Sequence, residues 1–249
     1  MGWRDTLDDP AAWGELGVFE TLRTRDGQPA FLVEHVERLE ASLAWAGWSW
    51  ERERALAELH ARAAEPGEWK LNVLVTRTHT LVSSVPLDAG RVNAPVRCAT
   101  EPWEPTARLP GYVKHTSRAI WVRAAAEAAE RLGEPVDEVI WVDRTGCWTE
   151  ANRSNVLAVR DGVVWTAPLD GRILPGVTRQ RALYAARALG VPVVEAPPPA
   201  AGRWDELYLC STLKELAAVV RLDGGAGPGE GPVGRRLRAQ MAGQRCSWS

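Results

Sequence analysis

The chain has 249 residues, 45% of them hydrophobic and 25% charged, with a formal net charge of −2. That length suits one large domain or two small ones with a substantial core, in a composition ordinary for a soluble globular protein. The small net charge excludes a global field that would gather nucleic acid or an anionic membrane, and no apolar run is long enough to span a bilayer. Along the chain, GVFETLRT alternates apolar and polar residues, RDG offers a turn, and QPAFLV returns, which predicts a hairpin. A helix is expected in EHVERLEASLAWAG, with Val36, Leu39, Leu43 and Ala46 at helical spacing and Gly47 near its end. SWERERALAELHARAAE reads as a second helix, with Ser49 as its candidate cap and Pro66-Gly67 as its stop. KLNVLVTR, TLVSSVPL and APVRCAT read as strands.

The stretch EPWEPTARLPG is rich in proline and is the best linker candidate. TSRAIWVRAAAEAAERLG is an expected helix that ends at Gly133. DEVIWVD, RSNVLAVR and GVVWTA are expected strands, the last two joined by an Asp161-Gly162 turn. TRQRALYAARALG reads as a helix, ELYLCS and AAVVRLDG as strands, and VGRRLRAQMAG as a final helix. The expected organisation is α+β in two domains: a smaller half at 1–107, a connector at 108–113, and a larger strand-rich half at 114–249. Clefts between two such halves are common ligand sites.

Cys98, Cys147, Cys210 and Cys246 form no C-x-x-C pair and do not cluster with the four histidines. Reduced thiols in the cytoplasm are expected, rather than disulfides or a metal site. Thirteen tryptophans scatter from Trp3 to Trp248 without a basic stripe, which suits packing better than base stacking. MGWRDT fits the loose myristoylation pattern, too unconstrained to expect a lipid. Gly229 to Gly234 spells G-x-G-x-x-G but opens no βαβ unit, so a turn before the last helix is expected there.

Lysine occurs only as Lys70, Lys114 and Lys214, although lysine plus arginine total 30. Arginine stays charged, whereas a lysine amine that loses its proton can bond covalently to a carbonyl. Lys114, in GYVKHTSRA, is therefore a candidate nucleophile or a solvated lysine at a helix start. In RILPGVTRQRAL, Gly176 permits close backbone approach, and the amides of Val177 and Thr178 open a helix. That favours a bound phosphate or, more simply, helix capping by threonine. Ser211 and Thr212 form a second donor cluster or an ordinary turn. Glu150, placed at the end of a turn before the strand at Asn155, is either a surface carboxylate or the partner of a buried cationic nitrogen. A reactive lysine, a carboxylate and two phosphate-type clusters are the parts that would hold pyridoxal 5'-phosphate.

In order and spacing, GVFETLR, EHVERLEAS, YVKH, TEANRSNVLAV, LPGVTR and STLKELAAVVRLDG resemble the fold-type IV pyridoxal-phosphate enzymes. These include branched-chain and D-amino-acid aminotransferases and aminodeoxychorismate lyases. The resemblance implies that Lys114 is the Schiff-base lysine and that Glu150, in E-x4-N with Asn155, faces the pyridine nitrogen. It implies that Arg38, in H-x2-R-L with His35 and Leu39, binds the phosphate together with Val177, Thr178, Ser211 and Thr212. Two positions depart from the family pattern: Glu15-Leu16-Gly17 stands for its GDG, and Ala119 stands where branched-chain enzymes carry a tyrosine. Freed Lys114 would act as the general base at the substrate Cα. Lys114-His115, the short chain and Arg108 as a carboxylate ligand lean toward a 4-amino-4-deoxychorismate lyase releasing 4-aminobenzoate and pyruvate. The alternative is an aminotransferase for branched-chain or D-amino acids, toward which GVTR, STLKEL and Arg77-x-His79 lean; Arg77 and His79 also fit a plain β-turn. The resemblance further implies a homodimer.

Overall fold

The computed structural model describes residues 17–106 and 108–244. MGWRDT, Glu15, Leu16 and Cys246 lie outside them. The chain forms two compact units, one taking the chain up to Pro86 plus Val113–Arg118, the other Leu87–Tyr112 plus the chain from Ala119 onward.

In the first unit, β1 (Val18–Arg25) turns through Asp26 and Gly27 into the short β2 (Gln28–Pro29). Both turn residues have positive φ, 53° and 72°, the tight turn that the D-G pair predicts. Phe31 cuts the return strand short and starts α1 (Leu32–Ala46). Gly47, at φ 70°, ends α1: its N–H donates to Ala44 O and the Trp48 N–H to Leu43 O, a Schellman closure. The second helix, α2 (Arg52–Ala63), begins at Glu51 rather than at Ser49, and no side chain of its N-cap bonds back. It is followed by the antiparallel hairpin β3 (Trp69–Val75) and β4 (Thr80–Pro86), giving a sheet of order β2-β1-β3-β4. Alternation places Val18 and Leu22 of β1 and Leu71, Val73 and Val75 of β3 in one core with Leu39 and Leu43 of α1 and Leu59 of α2.

The second unit starts with β5 (Val96–Pro102), α3 (Ala119–Leu132) and β6 (Glu138–Val142), with β5 and β6 parallel. Then come β7 (Trp148–Ala151), β8 (Asn155–Arg160) and β9 (Val163–Thr166), the last two joined by the Asp161-Gly162 turn with φ of 50° and 75°. The helix α4 (Val177–Ala188) leads into β10 (Val193–Glu195), parallel to β9. The unit ends with β11 (Glu206–Ser211), β12 (Glu215–Leu222), β13 (Gly225–Ala226) and α5 (Pro232–Ala242). The pairings run β10-β9-β8-β11-β12-β5-β6-β7, and β7 also pairs with β8. The strands from β8 round to β7 thus close on themselves, and the closing pair is Glu150 opposite Asn155.

These units divide the chain differently from the expected 1–107, 108–113 and 114–249. β5 was expected in the first half, but its partners are β12 and β6 of the second unit. Lys114 was expected to open the second half, but Val113–Arg118 belongs to the first unit. Strand pairing, which joins distant segments, decides membership; proline content reports only local chain stiffness.

Candidate active site

Lys114 lies on a short segment laid along the start of β1. The Phe19 N–H donates to Lys114 O at 2.9 Å and the Thr116 N–H to Gly17 O at 2.8 Å, with Val18 and His115 bridged between them. The Lys114 N–H donates to Ser42 Oγ at 3.2 Å, and that hydroxyl donates to Arg38 O at 3.1 Å, so α1 fixes the same backbone. Val113 is buried in the unit's core. The side chain lies half-buried, its Nζ 4.6 Å from the centroid of the Phe19 ring. Arg118 Cζ approaches the same ring at 5.4 Å. His115 is buried, and burial, followed by the charges of Arg118 and Lys114, holds its pKa below 6.5, so the imidazole is neutral at pH 7.

Arg38 is also buried. Its Nε donates to Glu20 Oε1 at 2.7 Å and its Nη2 to Glu20 Oε2 at 2.8 Å, the two-point geometry of a guanidinium on a carboxylate. His35 Nδ1 lies 2.8 Å from the same Oε2. Sequence reasoning missed Glu20. The signal was present: β1 alternation puts Glu20 between Val18 and Leu22 on the inward face, and His35 and Arg38 share one face of α1. A carboxylate among core positions needs cationic partners there.

In the second unit, Glu150 is a residue of β7, not the end of a turn as expected, because β6 and β8 hydrogen-bond this short segment from both sides. Glu150 Oε2 accepts from the Leu174 N–H at 2.9 Å and lies 3.5 Å from Asn155 Nδ2. Asn155 Nδ2 in turn donates to Leu174 O at 2.9 Å. Two residues beyond Leu174, Gly176 is the N-cap of α4. Its φ is −69°, so the glycine is required for space: an added Cβ would lie 1.9 Å from Asn155 Oδ1. The first turn of α4 has no acidic residue, and Val177, Thr178 and Arg179 are all buried. The carboxylate and the opening of the helix are thus tied together through one asparagine and one backbone segment.

Ser211 and Thr212, half-buried, start the turn between β11 and β12, with Ser211 opposite Glu215. Arg77 and His79 sit at the β3–β4 hairpin tip, where the Thr76 N–H donates to His79 O at 2.9 Å. The His79 N–H donates to Thr76 Oγ1 at 3.1 Å. Arg77 is exposed and His79 half-buried. Arg108 is exposed, in a turn closed by Thr106 and Leu109. The G-x-G-x-x-G stretch is a turn before α5, as expected: Glu206 receives the Val233 and Gly234 amides at 2.9 and 2.8 Å, so a carboxylate of the chain itself occupies that helix start. The first turn of α4 likewise carries no acidic residue, and the helix's buried arginines are engaged within the unit, Arg179 with Glu195 at 2.8 Å and Arg181 with Glu215 at 3.1 Å.

The chemistry of these groups fits pyridoxal phosphate: an amine on a fixed backbone, a carboxylate held for a cationic ring nitrogen, and amide and hydroxyl donors for a phosphate ester. A profile of the family "Amino-transferase class IV" matches residues 17–222. A D-alanine aminotransferase of Listeria monocytogenes is 28% identical, covering 84% of this chain and 78% of that protein. A putative branched-chain amino acid aminotransferase of Thermotoga maritima superposes with a TM-score of 0.84 at 25% identity, covering 100% of this chain and 92% of that one. A hypothetical aminotransferase of Mycobacterium tuberculosis, in its PLP-bound form, gives 0.79 at 25% identity, covering 96% and 93%. A putative 4-amino-4-deoxychorismate lyase of Legionella pneumophila gives 0.81 at 19% identity, covering 94% and 93%, a likeness of fold alone. The chain belongs to the class IV amino-transferase family of pyridoxal-phosphate-dependent enzymes.

Proposed function

We propose that the protein is an aminotransferase that moves the amino group of a small amino acid, of the D-alanine or branched-chain kind, to a 2-oxo acid. One observation carries this preference: relatives named as aminotransferases match over most of both chains at 25–28% identity, whereas the lyase neighbour stands at 19%. Bound pyridoxal phosphate supplies the carbonyl that takes up the amine and the ring that accepts the electrons of the Cα bond.

The chain's own residues do the rest. Lys114 would hold the cofactor through its amine and would carry the proton at the substrate Cα. Glu150, held by the Leu174 amide, keeps the ring nitrogen protonated. The starts of α4, at Val177 and Thr178, and of the β11–β12 turn, at Ser211 and Thr212, donate to the phosphate together with Arg38, which Glu20 orients. Arg77 and His79, one residue apart at a hairpin tip, are assigned to the substrate carboxylate. The same family likeness supports a homodimer. Among the described residues no helix is long and apolar enough to cross a membrane.

β-Elimination from aminodeoxychorismate is the second reading, favoured by the pairing of Lys114 with His115. The burial of His115 and the exposure of Arg108 are supported by packing and turn geometry without a ligand role. The test incubates the holoenzyme with D-alanine or branched-chain amino acids plus 2-oxoglutarate, and separately with aminodeoxychorismate. Glutamate is the expected product. Formation of 4-aminobenzoate and pyruvate with no glutamate in the first assay overturns transamination. Lys114→Ala is expected to abolish both the visible absorption of the lysine-bound cofactor and turnover.

A further inference from the structure

Glu138 lies on β6, fully buried, and is not among the residues assigned to the cofactor. Its carboxylate nonetheless gathers the two loops that carry them. Oε2 accepts from the Arg153 N–H at 2.9 Å, and Oε1 accepts from Ser154 Oγ at 2.8 Å. Both donors lie in the short loop between Glu150 and Asn155. Oε1 also pairs with Lys214 Nζ, which belongs to the turn that Ser211 and Thr212 open. One buried carboxylate thus holds the loop behind the ring-nitrogen carboxylate and the turn proposed to bind phosphate.

A second ion pair completes the frame. Arg181, one helical turn after Val177, donates from Nη1 to Glu215 Oε1 at 3.1 Å. Glu215 is the residue after Lys214 and has φ 55°, a conformation that residues other than glycine adopt at a cost and that the neighbours must hold in place. Asn93 fixes the same stretch, its N–H donating to Lys214 O at 2.8 Å and its Oδ1 accepting from the Leu216 N–H at 3.0 Å.

We infer that Lys214 and Arg181 are positioning residues for the cofactor: through Glu138 and Glu215 they set the spacing between Glu150, the α4 start and the Ser211-Thr212 turn. The inference rests on the phosphate assignment above. A rigid ester-binding turn must stand at one distance from the ring-nitrogen partner, and a turn freed at Lys214 loses that distance while the carboxylate stays in β7.

The test compares pyridoxal phosphate with pyridoxal, which lacks the phosphate, by titrating the full-length apoprotein and following tryptophan fluorescence. Lys214→Gln is expected to weaken pyridoxal phosphate by about tenfold, at the low end of what residues behind a ligand shell contribute, and pyridoxal by less than about twofold. Lys214→Arg restores the preference. Arg181→Lys, which keeps charge but shortens the reach to Glu215, is the second variant and shifts the same ratio. Folding is checked by circular dichroism and Tm. An unchanged ratio in folded Lys214→Gln and Arg181→Lys, or equal weakening of both compounds in them, overturns the inference. A wild-type protein that binds both compounds equally well overturns the phosphate assignment itself, and the inference with it.

Discussion

Glu20 on β1 and Arg38 on α1 meet in a two-point ion pair, both residues buried, with His35 on the same carboxylate. Burial alone would raise the Glu20 pKa, but the Arg38 charge and the hydrogen bonds from Arg38 and His35 outweigh it and hold the carboxyl well below 4.5. A carboxyl depressed in the folded state stabilises the fold above its unfolded pKa, and that stability is lost as pH falls through the folded value. Glu20→Gln leaves a buried guanidinium without its counter-charge and is expected to cost about 3–5 kcal/mol at pH 7. The difference from wild type should narrow as pH drops below about 4.5. Urea unfolding at several pH values measures it; a gap that stays constant with pH would show that the carboxylate charge contributes nothing.

Glu206 on β11 supplies the carboxylate that the α5 start lacks. It accepts the Val233 and Gly234 amides and the Tyr208 hydroxyl, the last at 2.7 Å. Its glycine neighbours are required by space, since a Cβ at Gly234 would stand 2.0 Å from Tyr208 Oη. Glu206→Ala strands three buried donors and is expected to destabilise by about 2–4 kcal/mol. Pyridoxal phosphate affinity should stay at the wild-type value in the folded variant. A specific loss of cofactor affinity would mean that the G-x-G-x-x-G segment serves a ligand.

The buried thiols predict a chemical silence. Burial raises the Cys98 pKa well above 9.0 and pushes Cys210 up to about 12. Both are nearly inaccessible, so the nucleophilic thiolate is scarce at neutral pH. Iodoacetamide at pH 8 should leave both unlabelled in the native protein and modify both in urea, as read by peptide mass. Labelling of Cys210 in the native state would indicate that the core around β11 opens readily.

Local chemistry made much of the fold legible. The Asp26-Gly27 and Asp161-Gly162 turns, and the Gly47 and Gly133 helix ends, all sit at positive φ where the sequence places them. What escaped was non-local. The four-residue β7 has no periodicity to announce it and exists because β6 and β8 flank it. β5 looks like an N-terminal strand until its parallel partners, far along the chain, are known. Of the candidate site, Lys114, Glu150 and the α4 start were marked by residue type and order. Glu20 was passed over although the alternation of β1 places it on the core face, whereas Glu138 and Arg181 carry no such mark, because a buried charge announces itself only once its partner is in place.

Gly176 offers the sharpest test of the second unit's geometry. An alanine Cβ there would lie 1.9 Å from Asn155 Oδ1 and 3.1 Å from Cγ. A side-chain tip normally yields cheaply, but this amide donates to Leu174 O and lies beside Glu150 Oε2. Moving it costs those contacts, or else displaces the start of α4. Gly176→Ala is therefore expected to lower stability by about 1–3 kcal/mol, the usual cost of overpacking. It should also weaken pyridoxal phosphate binding, since both the Glu150 carboxylate and the Val177 and Thr178 amides depend on that junction. Urea midpoints and cofactor titration of the apoprotein separate the two effects. A folded Gly176→Ala protein that loses stability yet binds the cofactor as wild type does would show that the Asn155 junction shapes the fold without setting the cofactor's position.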